Sequence, residues 1–301
     1  MQDIRVARLI APGKPFEVGT AAMPSLGTND VLVKVKSHSI VPNVANVTGG
    51  KSWYQLPDLP AIFGLDVAGV VEDVGHNVLA IKKGDRVYVD PFLSCGECRE
   101  CRRGCFQYCR YSGLRGYFSF GPDGSQLQRL YPYGGTSEYL TSPAAKVAKL
   151  PDNIDFDTAA RLGYLGTSYA ALIKGKLPPR GTLLINGVTG TLGVGAVQIA
   201  LGLGARRILG IGRKPDVMAR IKSLAPDRID VTNYDRARTV QWVRDRTGGR
   251  GVDMMYDCLG AGASADSTND LLNAIAPDGS CVVVGGGVEG QICRDYLALL
   301  S

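Results

Sequence analysis

From Thr182 onward the sequence repeats one unit, a short apolar run followed by a segment of helical spacing. The runs cover 183–185, 208–211, 229–231, 252–256 and 281–284, and the helical segments between them cover 193–203, 215–225, 235–247 and 267–275. Apolar runs without polar alternation belong to strands buried on both faces, and strands separated by helix-length segments pair in parallel. The repeat therefore predicts an α/β architecture, a doubly wound parallel sheet over 151–301. The stretch 182–205 carries no charge and is long enough to suggest a membrane span. Its six glycines, with Asn186, Thr189, Thr191 and Gln198, make it instead a buried strand followed by a glycine-faced helix.

The preceding half has a different rhythm. Residues 31–36 alternate, 67–74 form a glycine-punctuated β-branched run, and 86–89 follow the Gly84-Asp85 turn. Residues 1–150 are expected to form a partly open β-barrel or sandwich, with the boundary near Pro151-Asp152, ahead of an Ala-rich helix around 158–162. Two such domains suit 301 residues, of which 45% are hydrophobic and 21% charged, and this composition excludes an intrinsically disordered chain. The 34 Lys and Arg exceed the 28 Asp and Glu, but the two signs are interspersed, so the formal charge of +6 does not mark a nucleic-acid-binding protein. The opening run Arg5-Val6-Ala7-Arg8-Leu9-Ile10 lacks the apolar core and cleavage site of an export signal, and a cytoplasmic protein without membrane association is expected.

Five of the eight cysteines fall between Cys95 and Cys109. Without an export signal a clustered set reads as a metal site and not as a disulfide framework. Cys95-x2-Cys98-x2-Cys101-x7-Cys109 gathers four thiols in one short lobe, 95–109, with Gly96 and Gly104 at its turns and Cys105 as the surplus. Four soft thiolates suit a closed tetrahedral Zn²⁺ with bonds of about 2.3 Å, which leaves no position for substrate, so the metal expected here is structural.

The strand 183–185 leads into Val188-Thr189-Gly190-Thr191-Leu192-Gly193 and then a helix. This is a dinucleotide turn with Val188 in place of its first glycine. Gly190 would admit the pyrophosphate, Gly193 would let the helix pack on the strand, and the helix-start amides around Thr191 and Leu192 would bind the anion. Nineteen residues past Gly193, where an acid would bond the ribose of NAD, stand Gly212, Arg213 and Lys214. Space and two cations suit a 2′-phosphate, so NADP(H) is the expected cofactor.

These motifs, with Gly64-Leu65-Asp66-Val67-Ala68-Gly69, Gly84-Asp85-Arg86-Val87 and Gly134-Gly135-Thr136-Ser137-Glu138-Tyr139, resemble the medium-chain dehydrogenase/reductase superfamily in its zinc-containing alcohol dehydrogenase branch. The resemblance implies a GroES-like catalytic domain followed by a Rossmann domain, with the active site in the cleft between them. It also implies a second, catalytic zinc held at three positions. Here those positions read Val41, Leu65 (with Asp66 where the family has Glu) and, depending on a one-residue gap, Gly163 or Tyr164. Valine and leucine cannot coordinate a cation. His38 is either a substitute ligand or a packed residue.

Loss of that ion changes the chemistry to be expected. Zinc lowers the pKa of bound water from about 15.7 to about 7, on the order of 12 kcal/mol, whereas one hydrogen bond to a charged group supplies about 1.5–3 kcal/mol. Simple alcohol oxidation is disfavoured, and hydride transfer from NADPH to an activated C=C or a quinone-like carbonyl of a small-molecule substrate is favoured. The resemblance places Asn43, Tyr54, Tyr164 and Thr167 around the cleft, the first three as proton donors and Thr167 beside the nicotinamide. Tyr54 is either a phenolic acid or a loop aromatic packed beside Trp53. The aromatics Tyr111, Tyr117, Phe118, Phe120, Tyr131 and Tyr133 either frame a flat substrate or pack a long loop. Two other readings stand beside the reductase: a zinc alcohol dehydrogenase with unusual ligands, and an NADPH-binding protein without chemistry. Past Gly285-Gly286-Gly287 only 288–301 remain, short of the strand that relatives often pair across a dimer and of the segment returning to the catalytic domain. Either the sequence is a fragment of a homodimer-forming chain or its assembly differs, with one sheet edge uncovered.

Overall fold

The computed structural model describes residues 3–51, 54–260, 262–286 and 288–293. Trp53, Gly287 and 294–301, on which the expected Tyr54 packing and the end of the last strand bear, lie outside the described residues. The chain forms two compact units, residues 1–163 and 164–301. The division falls past Pro151-Asp152 because 151–163 pack onto the first unit. The Arg86 guanidinium donates to the carbonyls of Pro151, Asp152 and Ile154 and lies 4.8 Å from the Phe156 ring. Ile154, Phe156 and Leu162 join Ala68, Leu150 and Ala159 in one apolar cluster.

In the first unit β1 (Asp3–Leu9) pairs antiparallel with β2 (Phe16–Ala22), whose exposed face hides it from a periodicity search, while α1 (Val44–Thr48) follows β3 (Asp30–Ser39). A short β4 (Ala61–Ile62) completes the first sheet, order β2-β1-β4. The larger sheet adds β5 (Leu65–Val74) and β6 (Arg86–Val89). After β7 (Phe92–Leu93), α2 (Arg99–Arg102), β8 (Gly113–Leu114) and α3 (Gly124–Leu130) come its remaining strands, β9 (Tyr139–Pro143) and β10 (Val147–Lys149), in the order β10-β6-β5-β3-β9. Three register irregularities between β3 and β5 bend this sheet, and the Ala7 N–H donating to Thr136 O at 2.8 Å ties β1 to the entry of β9. The result is the curled, partly open barrel of a GroES-like domain, filled by Val31, Val33, Val67, Val71, Val87, Val89 and Leu140.

After α4 (Phe156–Ala159) and α5 (Leu162–Lys174) the second unit alternates β11 (Thr182–Asn186), α6 (Thr191–Gly202), β12 (Arg207–Ile211), α7 (Pro215–Ser223), β13 (Ile229–Thr232), α8 (Thr239–Arg246), β14 (Val252–Asp257), α9 (Asp266–Leu271) and β15 (Ile275–Val283). All pairings are parallel, in the order β13-β12-β11-β14-β15, the Rossmann arrangement. Successive side chains of β11 face opposite layers: Leu183 and Ile185 pack with Val197 of α6, and Leu184 packs with Val243 of α8. The last helix is shorter than its spacing predicts and β15 begins at Ile275, six residues before Cys281, because Pro277 forces its predecessors out of the helical region.

Candidate functional site

The cysteine lobe hangs between β7 and β8, whose pairing (Phe92 with Leu114, Leu93 with Gly113) closes its base. Gly96 and Gly104 take left-handed φ of 77° and 76°, the turns that return the chain to the cluster. The sulfurs of Cys95, Cys98, Cys101 and Cys109 all lie within 4.8 Å of one another, with Cys95 to Cys109 at 3.6 Å and Cys95 to Cys101 at 4.0 Å. A tetrahedron with bonds of about 2.3 Å sets its sulfurs about 3.8 Å apart, so the four residues fit zinc. The Cys98 amide donates to Cys95 Sγ at 3.3 Å and the Cys95 amide to Cys109 Sγ at 3.4 Å. The Cys101 amide brings the Cys98 thiol down to about 7, whereas burial pushes Cys101 up to about 12 and raises Cys109. Four thiolates at this spacing need a cation among them. Cys105 stays outside, its Sγ directed at Arg103 O at 3.8 Å.

At the end of β11 the amides of Gly187 and Val188 both donate to Ile211 O, at 3.0 and 2.9 Å, and Gly190 stands extended ahead of α6. The first intrahelical bond runs from Val194 N to Gly190 O at 2.9 Å, so Leu192 and Gly193 occupy the first turn, where amides have no intrahelical acceptor. A Cβ on Gly193 would lie 2.4 Å from Gly187 O, which is the close helix-to-turn packing the motif requires. Val188 is fully buried and its methyls cover Gly210 of β12, where a Cβ would come within 2.9 Å of them. The valine is thus compensated by a glycine in the adjacent strand. Gly212 is buried beside Thr189, while Arg213 and Lys214 are exposed and form no ion pair among the described residues. Thr167 is exposed on α5, one residue from Ser168, which donates to Leu192 O at 3.0 Å and lies 3.1 Å from Tyr256 Oη. Burial pushes Tyr256 up to about 12, so it stays a donor to Ser168. Ser168 and Tyr256 carry no motif and are visible only in the fold.

Val41 and Leu65, expected at two of the second-metal positions, are 4% and 7% exposed. Asp66 is 4% exposed, takes a left-handed φ of 52°, and accepts a 2.8 Å bond from Tyr88 Oη on its Oδ1. Burial raises its carboxyl and raises the Tyr88 phenol; Arg161 opposes the shift at Asp66. A Cβ at Gly163 would sit 2.1 Å from Asp66 Oδ1, so the carboxylate fills the space a side chain at 163 would take. His38 is half-buried with its Nδ1 unpartnered, and burial lowers its pKa. Among the described residues, the four lobe cysteines are the only group of three or more His, Cys, Asp and Glu able to hold a metal ion, and His38 belongs to none.

Asn43 and Tyr54 are brought together: Asn43 Nδ2 donates to Tyr54 Oη at 2.5 Å, and Asn43 Oδ1 accepts from Asn46 at 3.0 Å. The buried Tyr54 ring packs 4.8 Å from Phe118, which continues to Phe120 at 5.0 Å. The remaining loop aromatics are used structurally. Tyr117 is buried, Tyr131 donates to Asp30 at 3.0 Å, and Tyr133 donates to Ala22 O at 2.7 Å. Tyr164 lies half-buried on α5, in the second unit. No helix among the described residues is long and apolar enough to cross a membrane.

Comparison with known proteins agrees with this geometry. Residues 27–152 match the alcohol dehydrogenase GroES-like domain, and residues 191–299 match the zinc-binding dehydrogenase family. The NAD-dependent alcohol dehydrogenase of Sulfolobus acidocaldarius is 30% identical over 278 residues, covering 91% of this chain and 75% of that protein. An alcohol dehydrogenase of Geobacillus stearothermophilus is 30% identical over 275 residues, covering 90% and 74%. Among solved structures, alcohol dehydrogenase TADH from Thermus sp. ATN1 superposes with a TM-score of 0.83 at 28% identity, over 98% of this chain and 80% of that one. The chain belongs to the medium-chain dehydrogenase/reductase superfamily, in its zinc-containing alcohol dehydrogenase branch. Within that class it is an oxidoreductase of the alcohol dehydrogenase type, acting on small molecules with a nicotinamide cofactor.

Proposed function

We propose that the chain is an NADP(H)-dependent reductase that works without a catalytic zinc, transferring hydride to an activated C=C or a quinone-like carbonyl. The observation that carries this reading is the Asp66 carboxylate standing in the side-chain space of Gly163, with buried Val41 and Leu65 at the other two positions. Bound NADPH supplies the hydride. The Leu192 and Gly193 amides at the start of α6 would hold its diphosphate, and the exposed Arg213 and Lys214 would hold a 2′-phosphate, the space beside Gly212 itself being taken by Thr189. The Sulfolobus relative is named for NAD, but the glycine and two cations here favour the phosphorylated cofactor. Tyr54, its oxygen held by the Asn43 amide, would carry the proton for the substrate oxygen, with Asn43 and Tyr164 as the other donor candidates, and Thr167 would lie beside the nicotinamide. A cysteine cluster suited to zinc and not to disulfides goes with a reducing, cytoplasmic setting.

Titration of the full chain with NADPH and NADH tests the cofactor reading. NADPH should bind at least about tenfold more tightly, and Arg213→Glu should abolish the difference. Turnover of an enone or quinone with NADPH, and none of ethanol with NADP⁺, is expected. Equal affinities or robust ethanol oxidation would contradict the proposal, and binding without turnover over a broad substrate panel would favour a non-catalytic cofactor-binding protein.

A further inference from the structure

The sheet order β13-β12-β11-β14-β15 places the topological switch point between β11 and β14, because the chain leaves β11 toward β12 and returns on the other side at β14. In open α/β sheets the ligand lies outside the carboxyl ends of the strands at that point. A buried polar clasp spans it here. Asn186, the last residue of β11, donates Nδ2 to Asp257 Oδ2 at 3.2 Å, and Asp257 is the last residue of β14. Thr268 Oγ1 of α9 donates to the same oxygen, and the Leu259 amide donates to Oδ1 at 3.2 Å. The exit of β15 is tied in as well, the Val284 amide donating to Asp257 O at 2.8 Å. Next to it the Cys258 thiol donates to Asn186 O at 3.2 Å.

Asp257 is 1% exposed and forms no ion pair among the described residues, so its carboxylate is held by neutral donors alone. Burying an acid in this way is costly, and an apolar residue would hold two strands together at less expense. What the carboxylate does, and an apolar residue could not, is orient three segments as they leave the sheet. The phosphate turn starts at the residue after Asn186, residues 258–260 leave the sheet directly after Asp257, and α9 begins at Asp266. Gly212, Arg213 and Lys214 lie at the end of β12, on the other side of β11, which puts the adenosine half of a dinucleotide there and the nicotinamide half on the β14 side.

We propose that Asp257 is a positioning residue for the nicotinamide half of the cofactor. Through Leu259 and Thr268 it fixes the residues that follow β14, 258–260, and the helix α9, and through Asn186 it ties them to the phosphate turn. The inference rests on dinucleotide binding by this domain, not on the choice between NADP(H) and NAD(H). The test compares the full chain with Asp257→Asn and Thr268→Val by calorimetric titration. Each is titrated with whichever of NADPH and NADH the unaltered protein prefers, and with the matching ADP-ribose fragment, which keeps both phosphates but lacks nicotinamide. Dinucleotide affinity should fall about tenfold in Asp257→Asn and a few-fold in Thr268→Val, while fragment affinity stays within about twofold. Thr268→Val keeps the carboxylate and its other donors, so it supplies the same comparison if Asp257→Asn does not fold. Equal losses for fragment and dinucleotide, or no loss in the folded variants, would overturn the proposal. Failure of the unaltered chain to bind either dinucleotide would remove the cofactor reading beneath it, and is recognised before any substitution is made.

Discussion

Two regions of the first unit stand in contrast: the cysteine lobe, whose four residues fit zinc, and the corner of Asp66 and Gly163, which in the proposed reading holds no metal. In the lobe, four cysteines within 15 residues converge to sulfur separations of 3.6–4.8 Å. At the other place the three positions come from separate segments, the loop after β3, the start of β5 and the start of α5. By the family resemblance they read Val41, Leu65 and either Gly163 or Tyr164, and Asp66 fills the space beside the glycine. A lobe of this kind, without a core of its own, would depend on a bound ion for folding, so that losing a ligand there would have no local remedy. A site set within a packed barrel can be closed with ordinary side chains, and Tyr88 supplies the carboxylate with a hydrogen bond while Arg161 offsets its charge.

The contrast is tested most severely at the lobe. Cys101→Ser, or chelation of the wild-type protein, should release zinc and cost more than about 4 kcal/mol or prevent folding, as followed by chemical denaturation. Survival of cooperative unfolding with unchanged stability would show that the lobe does not depend on metal. At the filled corner, Gly163→Ala should cost about 1–3 kcal/mol by driving a methyl into the Asp66 carboxylate. In an Asp66→Gly background, where the carboxylate is gone and the left-handed backbone is still tolerated, the same change should cost less than about 0.5 kcal/mol. A coupling near zero in that double-mutant cycle would mean the carboxylate does not occupy the space.

The smallest effect concerns pH. Because burial raises the Asp66 carboxyl above its unfolded value, its favourable contribution is complete below the unfolded pKa and is lost as pH rises through the folded one. Asp66→Asn does not ionise and suits the left-handed φ, so it should gain on the wild type between acid and neutral pH, by less than about 1 kcal/mol, in urea melts at several pH values. A gap that widens instead as pH falls would assign the carboxylate a stabilising charge.

The same contrast explains what could be read before the fold was known. The lobe's ligands are neighbours in sequence, and the strand-turn-helix at Gly187–Gly193 announces itself by spacing, so both were legible. The meeting of Asp66 with Gly163 and Tyr88 was not legible, since it depends on register and packing across nearly a hundred residues. Val188 read as a defect in the dinucleotide turn until Gly210 of the neighbouring strand was seen to accommodate it. The pairing of Asn43 with Tyr54 and the clasp at Asp257 likewise join polar residues that carry no periodic signal.

Metal analysis of the purified full-length chain puts the central contrast to its most direct test. One zinc per chain, lost only together with lobe structure, is the expected result; two per chain, with the second removable from a protein that stays folded, would contradict it.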